Sequence, residues 1–564
     1  MVSGVGTKWS FQPMKKRFLL ASVALCAGFA AQAAEPTFDM QRFSGDIRTL
    51  SSDAFEGRAP ASAGEVKTVD FLIQRMKEAG LEPGGPQGAN GVRSWTQDVP
   101  LLKSDITGTP SLSLVLNGKA KALSQGKEIA IRAALTGDTA VSLKDVPLVF
   151  VGYGVKAPER DWDDFKGVDL RGKITVVLVN DPDFEGPAGR FGGKAMTYYG
   201  RWTYKFEEAA RQGAIGTLIV HETDAASYGW ATVASSNTNT MFDIVRDKPR
   251  SAHSPLEGWI QRDVAVELFK ASGLDFEKLR VAARSADFHP VPLKATLDAA
   301  YQVKPETIIS KNVLGRIAGT SHADETLIYS AHWDHLGVGA PDARGDRIFN
   351  GAVDNASGIA ALLELARAYK AAPAPARSVL FLAVTAEEKG LLGSSYYAAN
   401  PVWPLARTVG VLNMDSVISP GPARDFTISG QAKLGLLDLL IAEGAKRHRT
   451  YTPDPKVEAG GFFRSDHFPF AKQGVPALSF GAGDDLIDGG KAAGKAWGDA
   501  YVKAKYHQQS DEWSPDWNLE GTRQDLGLLY AVGRNLADSR VWPNWSQEAE
   551  FRAIRDASAA ERQQ

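Results

Sequence analysis

Four apolar runs in this chain each lead into side chains that can bind a metal or move a proton. Thr326-Leu-Ile-Tyr-Ser-Ala331 runs into His332-Trp-Asp334, and Ser378-Val-Leu-Phe-Leu-Ala-Val-Thr385 leads through Ala386 to Glu387-Glu388. Val409-Gly-Val-Leu-Asn-Met414 ends in Asp415, and Ala477-Leu-Ser-Phe480 opens a Gly/Asp-rich loop that leads on to Tyr506-His507. A divalent ion in a hydrolytic site needs such ligands together with an open position for water.

Each residue also has a plainer reading. Asp354, in Gly351-Ala-Val-Asp-Asn-Ala-Ser-Gly358, sits in a tight loop before a helix and, taken alone, reads better as a helix cap or turn residue. Glu387-Glu388 could be a solvated helix start, His507 a loop histidine and Tyr506 a packing ring. Asp415 is harder to dismiss, since an unpaired aspartate at the end of an apolar strand is expensive to bury. Asp334, two residues after His332, could orient that ring's second nitrogen. The plain readings weaken together, because these groups recur at strand exits within one segment.

Parallel strands buried on both faces are near-continuously hydrophobic, and open α/β sheets place their sites beyond the strands' carboxyl ends. From about residue 304 the pattern alternates: a strand to Ala331, a helix over Ser357–Lys370, and strands over 378–385 and 409–414. That predicts βαβ units and a largely parallel sheet. Ala371-Ala-Pro-Ala-Pro-Ala376 reads as a connector, and 524–538 as a closing helix. Earlier, Val66–Ala79 has helical spacing and stops at Gly80. Residues 104–303 differ in texture. Short β-rich pieces (Val146–Gly154, Gly172–Val179) surround one amphipathic helix, Tyr204–Gln212, and the strand Gly216–Val220. This stretch reads as a domain inserted between 35–103 and 304–564.

At 564 residues the chain exceeds one comfortable core, and 44% hydrophobic with 23% charged residues describes a globular protein. A formal charge of -2 gives no support to nucleic-acid binding. Residues 1–34 carry an export signal: a basic Met14-Lys-Lys-Arg17, an apolar stretch from Phe18 to Phe29, and Ala31-Gln32-Ala33 before cleavage. Met14 reads as the start of that signal. The apolar stretch falls short of the roughly 20 residues that span a bilayer, and the mature chain offers no other span. The single cysteine, Cys26, lies inside the signal, so any transition metal in the mature chain must be held by His, Asp and Glu. The expected address is periplasmic or extracellular.

His332-x-Asp334, Asp354-Asn355-Ala-Ser-Gly358, Glu387-Glu388, Asn413-Met-Asp415 and Tyr506-His507, in this order, resemble the motif set of the secreted di-zinc aminopeptidases, relatives of glutamate carboxypeptidase and the transferrin receptor. The resemblance is strong over about 304–540 and weaker around Leu50-Ser-Ser-Asp-Ala-Phe-Glu-Gly-Arg58. The insert resembles a protease-associated domain through Gly152-Tyr-Gly154, Asp161-Trp-Asp-Asp-Phe165, Gly172-Lys173 and Gly213-Ala-Ile-Gly-Thr-Leu-Ile-Val220. The resemblance implies an α/β fold in which helices sandwich a mostly parallel mixed sheet, with the β-rich insert attached. It also implies two zinc ions per chain bridged by Asp354, one completed by His332 and Asp415 and the other by Glu388 and His507. Glu387 would serve as general base and acid, Tyr506 as oxyanion donor, and Asp334 as the group beside His332. Peptides would be the substrates; no oligomeric state is implied.

Two other enzyme readings and one binding reading stay open at this level. A carboxypeptidase or acidic-dipeptide hydrolase would keep the same metals but need cations for a free carboxylate, and Arg464 is the obvious arginine among the motifs. A metal-stabilised binding protein would have no use for Glu387 beside its ligands. A serine hydrolase lacks its Gly-x-Ser-x-Gly elbow.

Overall fold

The computed structural model describes residues 36–186 and 188–562, together with Met1, Gly4 and residues 6–10. The export-signal reading of residues 14–34, and Cys26 with it, lies outside the described residues. Among the described residues no helix is long and apolar enough to cross a membrane.

The four apolar runs become adjacent strands. Ala477–Ala482, Thr408–Met414, His322–His332 and Arg377–Val384 lie side by side in that order, all parallel. Their side chains are buried over nearly their whole length, which is why the sequence shows continuous rather than alternating hydrophobicity. Their carboxyl ends point the same way, so His332, Glu387-Glu388 and Asp415 emerge at one edge. The helix Ser357–Ala371 covers one face and is buried almost all round. It packs beneath the helix Met40–Leu50, where Arg42 Nε meets Glu364 at 2.7 Å. The expected helix near Val66 runs from Ala63 to Glu78, with Gly80 at φ +77° turning the chain out of it. Mixed character comes from antiparallel neighbours: Val291–Ile317 beside Arg377–Val384, and Asp425–Ile428 beside Ala477–Ala482.

The β-rich region joins this sheet through two long strands. Thr96–Leu116 and Val291–Ile317 pair antiparallel along most of their length. The sheet then continues through Ala140–Phe150, Ile174–Leu178, Gly216–His221 and Leu256–Gln261. The sequence borders at 104 and 303 both fall inside the long strands. Among the described residues, two large hydrophobic cores nevertheless form, with smaller clusters beside them. One, around Leu327, Leu362 and Phe381, lies under the parallel strands, and the other, around Phe150, Leu218 and Phe269, lies within the β-rich region. The two regions touch where Tyr198 packs on Phe463 and Phe468, with Lys472 Nζ 3.0 Å from Glu207. The helix expected to close the chain runs from Glu520 to Asp538. It is followed by a shorter one over Arg552–Ala557, and Trp545 and Phe551 return to the core.

Candidate functional site

The strand His322–His332 ends at His332, which is 1% exposed, and its Nε2 lies 3.3 Å from Asp354 Oδ1 and 3.5 Å from Asp415 Oδ1. Asp354 turns its other oxygen away: Oδ2 is 3.2 Å from His507 Nε2, which is itself 3.2 Å from Glu388 Oε2. The five residues expected as ligands therefore converge around one buried carboxylate.

Local turns deliver these groups. Ala386 (φ +54°), Ser416 (φ +60°) and His507 (φ +57°) are non-glycine residues held in left-handed backbone beside Glu387, at Asp415 and at the imidazole itself. Such conformations cost free energy and persist where surrounding structure enforces them. The Asp354 loop is fixed from two sides. Asp511 accepts from the Val353 and Asp354 backbone N–H groups at 3.1 and 3.0 Å. Asn355 Nδ2 donates to Met414 O at 3.0 Å, while its Oδ1 accepts from Ser416 N at 3.1 Å, tying the loop to the end of the next strand. Asp415 is held in turn by Ser465 Oγ, which donates to Oδ2 at 2.8 Å.

Asp334 takes a different place from the one its spacing suggests. The His332 Nδ1–H donates to the Asp334 backbone carbonyl at 3.1 Å, whereas the carboxylate is 3.7 Å away, too long for a hydrogen bond. The carboxylate accepts instead from the Glu387 and Glu388 backbone N–H groups, at 3.0 and 3.4 Å. Tyr506 is 37% exposed, with its ring stacked on His507 at 3.9 Å between centroids. Its hydroxyl makes no hydrogen bond among the described residues.

Three contributors escape a reading of motifs. His335, one residue past the His332-x-Asp334 pair, is fully buried with Nδ1 2.7 Å from Glu388 Oε1. Arg58, also buried, donates to the carbonyls of Leu50, Trp333, Asn350 and Gly351, so it fastens the loops on both sides of the site to the N-terminal segment. Asp511 clamps the Asp354 loop as described. The only sequence signals for the three are their places in or beside quoted motifs. Asp466 and His467, beside Ser465, are fully buried; Ser394 Oγ donates to Asp466 at 2.5 Å.

The electrostatics follow from burying so many charges together. Burial opposes the charged form of Asp354, yet the His332 and His507 rings beside it hold its carboxyl well below the usual range. Burial works against the charged His332 as well, but the nearby Glu387 charge and the surrounding aspartates push its ring well above the ordinary value. Glu387 is raised well above a normal glutamate, first by burial and then by Asp415, Glu388 and Asp466 around it, although His332 opposes the rise. Burial likewise pushes Asp466 up to about 7.

This donor set fits a cation. His332 Nε2 is buried and makes no hydrogen bond, although two carboxylates stand within 3.5 Å of it. His332, Asp354 and Asp415 form one set of donors within 4.8 Å of one another, and His335, Asp354 and Glu388 form another. Imidazole and carboxylate together suit zinc and similar divalent ions.

Residues 312–531 match peptidase family M28, in agreement with the motif resemblance. The chain is 31% identical to leupeptin-inactivating enzyme 1 of Streptomyces exfoliatus over 45% of this chain and 57% of that protein. It is 25% identical to a probable lipoprotein aminopeptidase, LpqL, of Mycobacterium tuberculosis over 59% of this chain and 60% of that one. The chain thus spans less than two thirds of the length of these curated relatives. Among solved structures, an aminopeptidase from Aneurinibacillus sp. strain AM-1 aligns over 89% of this chain and 94% of its own, at 20% identity and a TM-score of 0.47.

Proposed function

With residues 312–531 matched to peptidase family M28, we propose that this protein is a zinc-dependent aminopeptidase that hydrolyses N-terminal residues from peptides. The observation that carries the reading is the divided carboxylate of Asp354, with Oδ1 3.3 Å from His332 Nε2 and Oδ2 3.2 Å from His507 Nε2. One ion would be held by His332, Asp354 and Asp415, and a second by Asp354, Glu388 and His507. Zinc accords with relatives named as probable zinc metalloproteases and with a site of imidazoles and carboxylates. When bound, the ions supply Lewis acidity toward the scissile carbonyl and lower the pKa of water.

The protein's own groups carry the protons. Burial and the anions around it raise the Glu387 carboxyl above a normal glutamate, and dications beside it would favour its carboxylate instead. In that form it takes a proton from the attacking water and later delivers one to the leaving amine. Tyr506 donates its hydroxyl to the developing oxyanion. Asp334 holds the backbone turn that carries Glu387 and Glu388. We read 104–303 as a protease-associated domain that narrows access to the site, and residues 14–34 as the signal that exports the chain.

The test presents the zinc-loaded chain with a short peptide, its N-acetylated form and its C-terminal amide. The reading expects hydrolysis of the free and amidated peptides and none of the acetylated one. Cleavage of the acetylated peptide with loss of the amidated one would mean a carboxypeptidase.

A further inference from the structure

We propose that His335 is a positioning residue of the second ion site: it holds Glu388 Oε1 so that only Oε2 is presented beside Asp354 and His507. The inference rests on the two-ion reading above and adds a group to it.

The contact is short and largely buried. Nδ1 of His335 stands 2.7 Å from Glu388 Oε1, and His335 is fully buried, which strengthens the hydrogen bond. A carboxylate can only accept here, which puts the ring proton on Nδ1. That nitrogen is thereby committed to Glu388. Oε2, the other oxygen, lies 3.2 Å from His507 Nε2, which is 3.2 Å from Asp354 Oδ2.

The ring is closely packed on two sides. Gly351, at φ +55°, lies against it, and a Cβ there would come within 2.6 Å of the His335 Cγ and Cδ2 atoms. The His335 backbone N–H reaches the Arg58 carbonyl at 3.4 Å. On the far side, the His335 and His507 rings meet edge to face with centroids 5.8 Å apart. With Asp334 holding the Glu387 and Glu388 backbone, the quartet His332-Trp-Asp334-His335 fixes the Glu-Glu turn through main chain and side chain together. A partner that fixes a ligand's orientation is typically worth ~10–100-fold in metal affinity.

The experiment strips the full chain of metal and titrates zinc against a chromophoric chelator, reading the two binding steps separately, for wild type, His335→Ala and His335→Asn. Visible spectra of the cobalt-loaded proteins and thermal unfolding of the metal-free proteins accompany each titration. The asparagine keeps an N–H donor near the position of Nδ1. The proposal expects His335→Ala to weaken one step ~10–100-fold, with the other step within about threefold of wild type, and His335→Asn to recover most of the loss with a wild-type cobalt spectrum. Two unchanged steps in His335→Ala overturn it. So do equal losses at both steps, which mark general damage, and so does a His335→Asn protein as weak as the alanine variant with an altered cobalt spectrum, which would make the ring itself a ligand. A wild-type chain that binds no zinc would instead bring down the metal reading as a whole.

Discussion

Asp334 Oδ1 accepts a hydrogen bond from the Glu387 backbone N–H at 3.0 Å, joining the turn after one strand to the turn after its parallel neighbour. The carboxylate therefore acts on the Glu387-Glu388 pair more than on the His332 ring, whose Nδ1–H is taken by a carbonyl. Asp334→Ala should lower both kcat and zinc affinity by ~10–100-fold. Asp334→Asn, which keeps one carbonyl acceptor, should fall between alanine and wild type. Wild-type kinetics and metal affinity in the alanine variant would remove Asp334 from the account.

Glu387 and Glu388 are adjacent yet differently placed. Glu388 is tied to His335 and His507, whereas the Glu387 carboxyl makes no hydrogen bond among the described residues. Glu387→Gln should keep both ions and lose turnover by roughly 10²–10⁴-fold. Glu388→Gln should weaken the ion shared with His507. Metal analysis of the two variants separates the roles, and equal metal loss in both contradicts them.

Tyr506 stacks on His507 with its hydroxyl unengaged, so Tyr506→Phe preserves the ring contact and removes only the donor. Loss of an oxyanion donor costs on the order of 10²–10³ in kcat with little change in KM. Steady-state kinetics at saturating zinc checks this. Normal kcat in the variant would assign Tyr506 to packing alone.

Away from the site, His253 bridges Asp243 and Glu257 within the β-rich region, at 3.0 Å from each. Burial opposes its charge, but Glu257 and Asp243 raise its pKa from 6.5 to about 9. A raised value in the folded state means stability that is complete below about 6.5 and is lost as pH climbs through about 9. Thermal melts across that window should show a fall of up to a few kcal/mol, at roughly 1.4 kcal/mol per tenfold change in protonation. His253→Gln should flatten the profile. A wild-type profile that is already flat would contradict the bridged arrangement.

The strands were legible because burial on both faces leaves an unbroken apolar run, and His332, Glu387-Glu388 and Asp415 drew attention as candidate ligands because they stand where those runs stop. The helix from Ser357 was equally plain. What the sequence concealed depends on contacts between distant segments. His335 differs from any loop histidine only through Glu388, which comes 53 positions later and meets it across two strands. Arg58 acts on backbone carbonyls and Asp511 on backbone N–H groups, and neither kind of partner leaves a mark in side-chain spacing. The borders of the insert were blurred because Thr96–Leu116 and Val291–Ile317 run through them without a break. The helix Arg552–Ala557 was missed because it is short and carries no apolar face, its one buried side chain being Arg555.

The central claim is that Asp354 joins two ions that together make the site active. Zinc titration of the metal-free chain, with hydrolysis of a free N-terminal substrate recorded at each addition, tests it most directly. The account predicts activity that appears with zinc, saturates at about two ions per chain and disappears on chelation. Full activity in a chain that holds no transition metal would contradict it.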